Sequence, residues 1–261
     1  MTVVVVGAGL TGLRLAARLA DREPLTLVDR VPVLGGHAGY DDPEVRRFEQ
    51  VLHRPEVTMW LGATACRWQQ NRLLVVGHDA IRWLPARHLF VAAGTRPATA
   101  AELGLVGERG AGVFAATVAK HLLETRAVRW DRPVVIGSTW WAPEIAALMH
   151  QRGAHVTAVL PGSSPSPEWA DETWAGWTPH RVHGIPRVEG LVIVRDGDTT
   201  TIACDAIILA DALRPIRNIE GAIADDAKGV TYLPPDPAAD PTAVIVPVSA
   251  PNKRKEVAPT P

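Results

Sequence analysis

Val3-Val4-Val5-Val6-Gly7-Ala8-Gly9-Leu10-Thr11-Gly12 is the stretch that decides the fold. Four β-branched residues in a row predict a strand buried on both faces, because a strand with one wet face would alternate with polar residues. The glycines punctuate a turn, and Leu13 to Ala20 then carries apolar residues at helical spacing. Leu25-Thr26-Leu27-Val28 reads as a second strand, closed by Asp29, 22 residues after Gly7. The order is strand, glycine turn, helix, strand, acid, and it points to a dinucleotide site.

Each position has a physical task. Gly7 makes the tight turn, Gly9 leaves room for a pyrophosphate to approach the backbone, and Gly12 lets helix and strand pack closely. The helix start supplies unpaired N–H groups and a partial positive charge. Asp29, at the tip of the second strand, can accept hydrogen bonds from both ribose hydroxyls of an adenosine. With Ala8, Leu10, Thr11 and Arg30 beside them, these residues are the candidate cradle.

Gly35-Gly36 follows Asp29 after a short apolar stretch. With that pair in place, the segment resembles the FAD-binding half of flavoproteins that carry two dinucleotide-binding domains. The resemblance implies FAD at the first site and adds Gly35 and Gly36 to the cradle. Asp29 stands where that family more often has Glu. Farther on, an apolar strand ends in Ala93-Gly94-Thr95-Arg96-Pro97, similar to the segment by which the family leaves its FAD domain, so Ala93 and Gly94 join the candidate residues. Gly112-Val113, followed by a small-residue helix and Leu122-Leu123, looks like the linker of one branch. That branch holds the larger (alpha) subunits of heteromeric amine, imino-acid and opine dehydrogenases, with sarcosine oxidase and hydrogen cyanide synthase as relatives.

A second nucleotide fold is expected from Pro133. Val134-Val135-Ile136 and His155 to Leu160 read as strands, with a helix over Pro143 to Gln151 between them. Its turn, Gly137-Ser138-Thr139-Trp140-Trp141-Ala142, keeps the first glycine, but Thr139 replaces the second. No acid closes the following strand, where Leu160-Pro161-Gly162 stands. An NAD(P) or other adenine nucleotide is therefore doubtful at this second site. The two Trp rings serve as core or interface packing, or stack on a different nucleotide.

The remaining segments divide the chain further. Val57 to Leu61 and Arg72 to Val76 read as strands of a small β-meander. Ser163 to Gly190, rich in Pro, Ser, Trp and His, reads as an irregular exposed excursion. There Trp169, Trp174 and Trp177 form a partner-binding patch or cover a sheet edge. Ala206 to Pro215 echoes His88 to Pro97 and is expected to return to the first domain. The family then expects a strand ending in Gly-Asp, and Thr242 to Val248 offers a strand without it. The expected fold is α/β, with two Rossmann-like units, the second inserted into the first. The expected boundaries are 1–110 for the FAD-type domain, 111–205 for the insert, 206–250 for the return and 251–261 for a disordered tail.

Composition excludes other classes. With 27 Lys and Arg against 28 Asp and Glu, a net charge of -1 gives no footprint for nucleic acid. No apolar run reaches the ~18 residues of a membrane span, and no basic leader precedes Val3, so a cytoplasmic protein is expected. Disulfide reductases of the superfamily carry a Cys pair just after the Gly-Gly, whereas Gly36 to Asp42 holds none, which excludes dithiol chemistry there. Cys66 and Cys204 are expected to be packing residues. His180 and His183 form the only close His pair and have no neighbouring carboxylate, so no metal site is expected. His37 and Tyr40 read as loop residues. Catalytic residues are not identified.

The resemblance implies a flavoprotein-type subunit of an FAD-dependent oxidoreductase, oxidising an amine or imino acid with an obligate partner subunit. Two alternatives stay open: a non-catalytic nucleotide-binding assembly subunit, and a stand-alone NAD(P)H-dependent flavin reductase. The 261 residues are expected to hold two nucleotide-binding units and no counterpart of the family's C-terminal domain.

Overall fold

Strand β1 (Thr2–Val6) is buried on both faces, as its valine run requires. Val3 and Val5 point into one core with Leu13, Leu19, Leu27 and Leu52, while Val4 and Val6 enter another with Val28, Trp68, Leu73 and Val75. Each fully buried valine contributes about 1.5–3 kcal/mol relative to exposure, so neither face tolerates a polar residue. The computed structural model describes residues 2–108, 110–162, 165–224 and 226–233. Thr242 to Val248 and the tail from Pro251 lie outside them.

Helix α1 (Leu10–Ala20) buries Leu13, Ala16, Ala17 and Ala20 on the sheet side and begins three residues before the expected start. Strand β2 (Leu25–Asp29) pairs in parallel with β1. Helix α2 (Pro43–Leu52) carries a full set of start signals that sequence reading left unassigned. Asp42 accepts hydrogen bonds from the Glu44 and Val45 amides, and Pro43 occupies the first turn. Strand β3 (Val57–Leu61) pairs in parallel with β2, and so it belongs to the nucleotide-type sheet. The meander assignment for Val57 to Leu61 is thereby corrected: its apolar run suits the half-buried edge strand of a parallel sheet as well as a short hairpin strand.

The meander consists of β4 (Thr64–Gln69), β5 (Arg72–Val76) and the first half of β6 (Ile81–Val91). Strand β6 spans 11 residues and serves two sheets. Up to Pro85 it runs antiparallel to β5, and from Ala86 it runs parallel to β1.

Thr95 to Pro215 forms a second unit, and the chain re-enters the first at Ile216. Its strands are β7 (Thr95–Arg96), β8 (Val106–Gly107), β9 (Val113–Ala115), β10 (Pro133–Ile136), β11 (Thr157–Leu160), β12 (Glu172–Ala175), β13 (Thr178–His183), β14 (Gly190–Arg195), β15 (Asp198–Ala203), β16 (Ala206–Leu209) and β17 (Arg214–Pro215). A parallel sheet of order β12-β11-β10-β16-β9 packs helices α3 (Ala116–Glu124) and α4 (Trp141–His150) on one face. On its other face lies the sheet β15-β14-β13-β8. Strand β10 divides its side chains as β1 does: Val135 faces the helices, and Val134 and Ile136 face β13 and β14. Lys120 joins α3 to α4 through Glu144 at 2.9 Å.

Three expectations are corrected here. The excursion from Ser163 contains β12, which extends the parallel sheet beside β11, and β13, which pairs with β14. Trp174 and Trp177 meet edge to face at 5.3 Å and pack on the buried Leu191 cluster, with the Arg195 guanidinium 4.7 Å from the Trp177 ring. They cover a core and do not form an exposed patch. Strand Ala206–Leu209 pairs with β10 and β9 inside the second unit, so the return to the first begins ten residues later than expected. The entry likewise falls at Thr95, ahead of the expected residue 111, because β7 and β17 pair with each other.

The re-entering segment is tied to the first unit by Trp68. Its indole donates to the Lys228 carbonyl at 3.1 Å, and its amide donates to Glu220 O at 2.7 Å. Strand β18 (Val230–Tyr232) then pairs in parallel with β6. There His88 Nε2 meets Thr231 Oγ1 at 2.8 Å. Burial, aided by Arg87, holds the His88 imidazole below the ordinary histidine value of 6.5. Above that pH both folded and unfolded chains carry neutral His88, and no stability difference arises. As the pH falls the unfolded chain takes the proton first, so stability declines. Denaturation midpoints measured from pH 8 to pH 5 are expected to fall below about pH 6.5. A His88→Gln protein should show a flatter profile; an unchanged profile refutes the assignment.

Among the described residues no helix is long and apolar enough to cross a membrane.

Candidate functional site

The turn after β1 shows why three glycines stand at that spacing. Gly7 has φ +109°, its amide donates to Val28 O at 2.8 Å, and a Cβ on it would lie 2.1 Å from the Ala92 carbonyl oxygen. Gly12 sits in the first turn of α1, where a Cβ would lie 1.9 Å from Gly7 O. Both positions are closed by backbone. Gly9 differs: it is extended at φ -75°, ψ 174°, and the atom nearest to a Cβ would be Gly36 Cα at 3.9 Å. Sterics inside the protein therefore require Gly7 and Gly12 but leave the space above Gly9 open.

Gly35 and Gly36 build the opposite wall. The Gly35 amide donates to Ala8 O at 2.8 Å, and Gly9 bridges to Gly35 in parallel. Gly36, at φ +57°, places its missing Cβ 2.9 Å from Gly9 Cα. A side chain on Gly36 would collide with the turn it faces, and one on Gly35 would collide with the Gly39 carbonyl, 2.3 Å from its missing Cβ.

Gly9 caps α1 without a side chain, and no acid occupies the first turn. The first helical bond runs from Leu13 N to Gly9 O at 2.9 Å, so the Leu10, Thr11 and Gly12 amides have no acceptor within the helix. That is an anion-binding arrangement. Asp29 sits at the tip of β2 and fixes the turn: Oδ2 accepts from the Ala8 amide at 2.6 Å, and Oδ1 accepts from Val31 at 2.8 Å. Each oxygen keeps a further lone pair for a hydroxyl. Arg30, next to it, is exposed.

The end of β6 completes the crest. Ala92 N donates to Val6 O at 2.7 Å, and this alanine, which sequence reading passed over, is the residue that Gly7 must approach. A small residue at the end of the third strand was the available signal. Ala93 follows, and Gly94 has φ +79° with no atom within 4 Å of its absent Cβ. The echo of this segment ends at Ala212, which takes the left-handed backbone (φ +47°) in spite of its side chain.

The Tyr40 hydroxyl donates to Glu49 at 3.2 Å, beneath the Arg46 guanidinium, and His37 is exposed. His180 and His183 lie on β13, and no metal-binding cluster occurs among the described residues. Cys204 is 2% exposed, and burial pushes its thiol up to about 12, which leaves no thiolate at neutral pH. Cys66 is only half-buried and donates to Thr64 O at 3.4 Å, so it is a less committed packing residue than expected.

The glycine turn, the acid and the Gly-Gly wall now stand together in one place. Residues 1–121 match the family model of the pyridine nucleotide-disulphide oxidoreductases. No curated protein matches the chain. Among solved structures, Lactococcus lactis thioredoxin reductase is 17% identical with a TM-score of 0.60, over 90% of this chain and 89% of that one. L-proline dehydrogenase from P. horikoshii is 19% identical with a TM-score of 0.53, over 88% of this chain and 49% of that one. An amine oxidase from Pseudomonas geniculata N1, acting on 6-hydroxypseudooxynicotine, is 18% identical with a TM-score of 0.61, over 89% of this chain and 38% of that one. The chain thus shares the fold of the pyridine nucleotide-disulphide oxidoreductases and spans about half the length of the proline dehydrogenase.

Proposed function

We propose that the chain is a flavoprotein-type subunit of an FAD-dependent oxidoreductase, oxidising an amine or imino acid together with a partner subunit. The observation that carries this reading is the open space over Gly9. The free amides of Leu10–Gly12, the Gly36 wall and the Asp29 carboxylate converge on it, and they match a pyrophosphate and its ribose in shape and charge. When bound, the flavin would supply hydride acceptance from the substrate. The protein's own part would be to hold the adenine dinucleotide half: backbone amides for phosphate, carboxylate for ribose, and a close turn at Gly7 and Ala92 to fix their spacing.

The family's dithiol route does not fit, because Gly36 to Asp42 contains no cysteine and Cys204 is sealed in the second unit. That leaves the oxidase and dehydrogenase side of the fold, where the proline dehydrogenase and the amine oxidase stand. The heteromeric assignment is supported by the Gly112-Val113 linker, which forms β9 and leads directly into α3.

The test is purification from the native host, with mass spectrometry of released cofactors and of co-eluting chains. Flavin near one per chain, accompanied by a stoichiometric second polypeptide, is the expected result. A colourless protein carrying ADP or ATP overturns the flavoprotein reading in favour of a non-catalytic assembly subunit. A yellow protein that elutes alone overturns the heteromeric part.

A further inference from the structure

The turn after β10 repeats the frame of the turn after β1 and replaces its contents. Gly137 has φ +92°, and its amide donates to Val159 O at 2.9 Å, the counterpart of the Gly7 bond to Val28. A Cβ on Gly137 would lie 2.4 Å from Asp211 Cβ, so the closed approach to the neighbouring strand is kept as well.

Beyond Gly137 the two turns part. At the place of Gly9 stands Thr139, whose hydroxyl donates to Ala210 O at 2.7 Å and whose amide reaches the same carbonyl at 3.2 Å. Two bonds to one acceptor pin the side chain, so it does not swing aside for a ligand. Trp140 is already helical at φ -52°, ψ -19°, and the Ala142 amide closes on Thr139 O at 2.8 Å. The helix start therefore spends on itself a donor that α1 leaves open. The Trp140 ring lies on that of Trp141 with centroids 3.6 Å apart, and Trp141 is anchored in the core at 8% exposure. After β11 comes Leu160-Pro161-Gly162, which offers a ribose no carboxylate and a 2′-phosphate no cation.

A pyrophosphate needs space above the second turn position and open amides at the helix start. We infer that the second unit keeps the dinucleotide-binding frame as architecture and holds no pyridine dinucleotide, although the fold is shared with proteins that use one. Thr139 takes the space, and the Trp140 turn takes a donor. Reduced nicotinamide consequently does not deliver hydride from this unit, and the stand-alone NAD(P)H-dependent flavin reductase reading loses its donor site. The inference concerns residues 133–212 alone and stands whether or not the first unit holds FAD.

Trp140 is 40% exposed on the crest and serves as a built-in probe, because indole emission overlaps the absorption of reduced nicotinamide. The full chain is titrated with NADH and with NADPH to millimolar concentration, following quenching of Trp emission, with equilibrium dialysis in parallel. No saturable binding is the expected result. A signal that disappears in Gly9→Val also supports the inference, since it places the nucleotide in the first unit. A signal that persists in folded Gly9→Val overturns it. If Gly9→Val does not fold, Ser138→Glu decides, because Ser138 is exposed and faces no packing constraint. A wild-type signal lost in Ser138→Glu overturns the inference, and one retained there supports it.

Discussion

Gly9→Val is expected to fold and to lose its nucleotide. The backbone at Gly9 is extended, a conformation that valine adopts without strain, and the nearest atom to a new Cβ is 3.9 Å away. The side chain would project into the space between the α1 amides and Gly36. Losing two charge-assisted bonds to a pyrophosphate, at ~1.5 kcal/mol each, corresponds to roughly 100-fold weaker binding. Removing a glycine helix cap costs about 1 kcal/mol at most, so the denaturation midpoint should move little. Cofactor content per folded chain is the measurement. Full occupancy in a folded Gly9→Val protein would remove the cradle from consideration.

Gly12→Ala is expected to do the reverse. Its Cβ would overlap the Gly7 carbonyl at 1.9 Å, and both partners are backbone, so no rotamer change relieves the contact. Helix α1 must then lift from β1, opening the core that Leu13, Ala16 and Val5 share. Overpacking of this kind costs about 3 kcal/mol or more, a large part of the stability of a typical domain. Urea denaturation should show the midpoint falling at an unchanged slope, before any question of ligand arises. A midpoint within error of wild type would mean that the turn relaxes, and the packing reason for Gly12 would fail. Two glycines three residues apart thus carry separable tasks, one toward the ligand and one toward the fold.

Much of the first unit was legible because its signals are local. A valine run, three glycines, a helical period and an acid each state a backbone or burial requirement within a few residues. Helix α2 carries start signals at Asp42 and Pro43, but its sparse apolar positions hid it: only Val45 and Leu52 are buried. The Ser163 to Gly190 segment misled for a related reason. Its Pro, Ser and Trp content resembles a loop, yet β12 gains its order from pairing with β11, a partner that composition does not reveal.

Domain boundaries were less legible still. His88 to Pro97 and Ala206 to Pro215 are alike because both are buried parallel strands ending in a left-handed residue, Gly94 in one and Ala212 in the other. The likeness marks the role of each strand and not the sheet it joins. Strand β16 stays with β10 because Ile207 and Leu209 face the β14 side and Ile208 the helix side, matching the second core and not the first.

By itself, the sequence determined the α/β class, the glycine turn with its acid, and the absence of a cysteine pair after Gly36. All of these follow from residue type and short spacing. Tertiary structure decided which glycines are closed by backbone and which opens toward a ligand, through what the fold sets opposite each: Ala92 for Gly7, Gly36 for Gly9 and Gly7 itself for Gly12. It also decided that the Thr139 turn is pinned, through a carbonyl 71 residues away in the chain. Conformation at a glycine is a local property, but the space around it belongs to whatever distant strand the fold brings there.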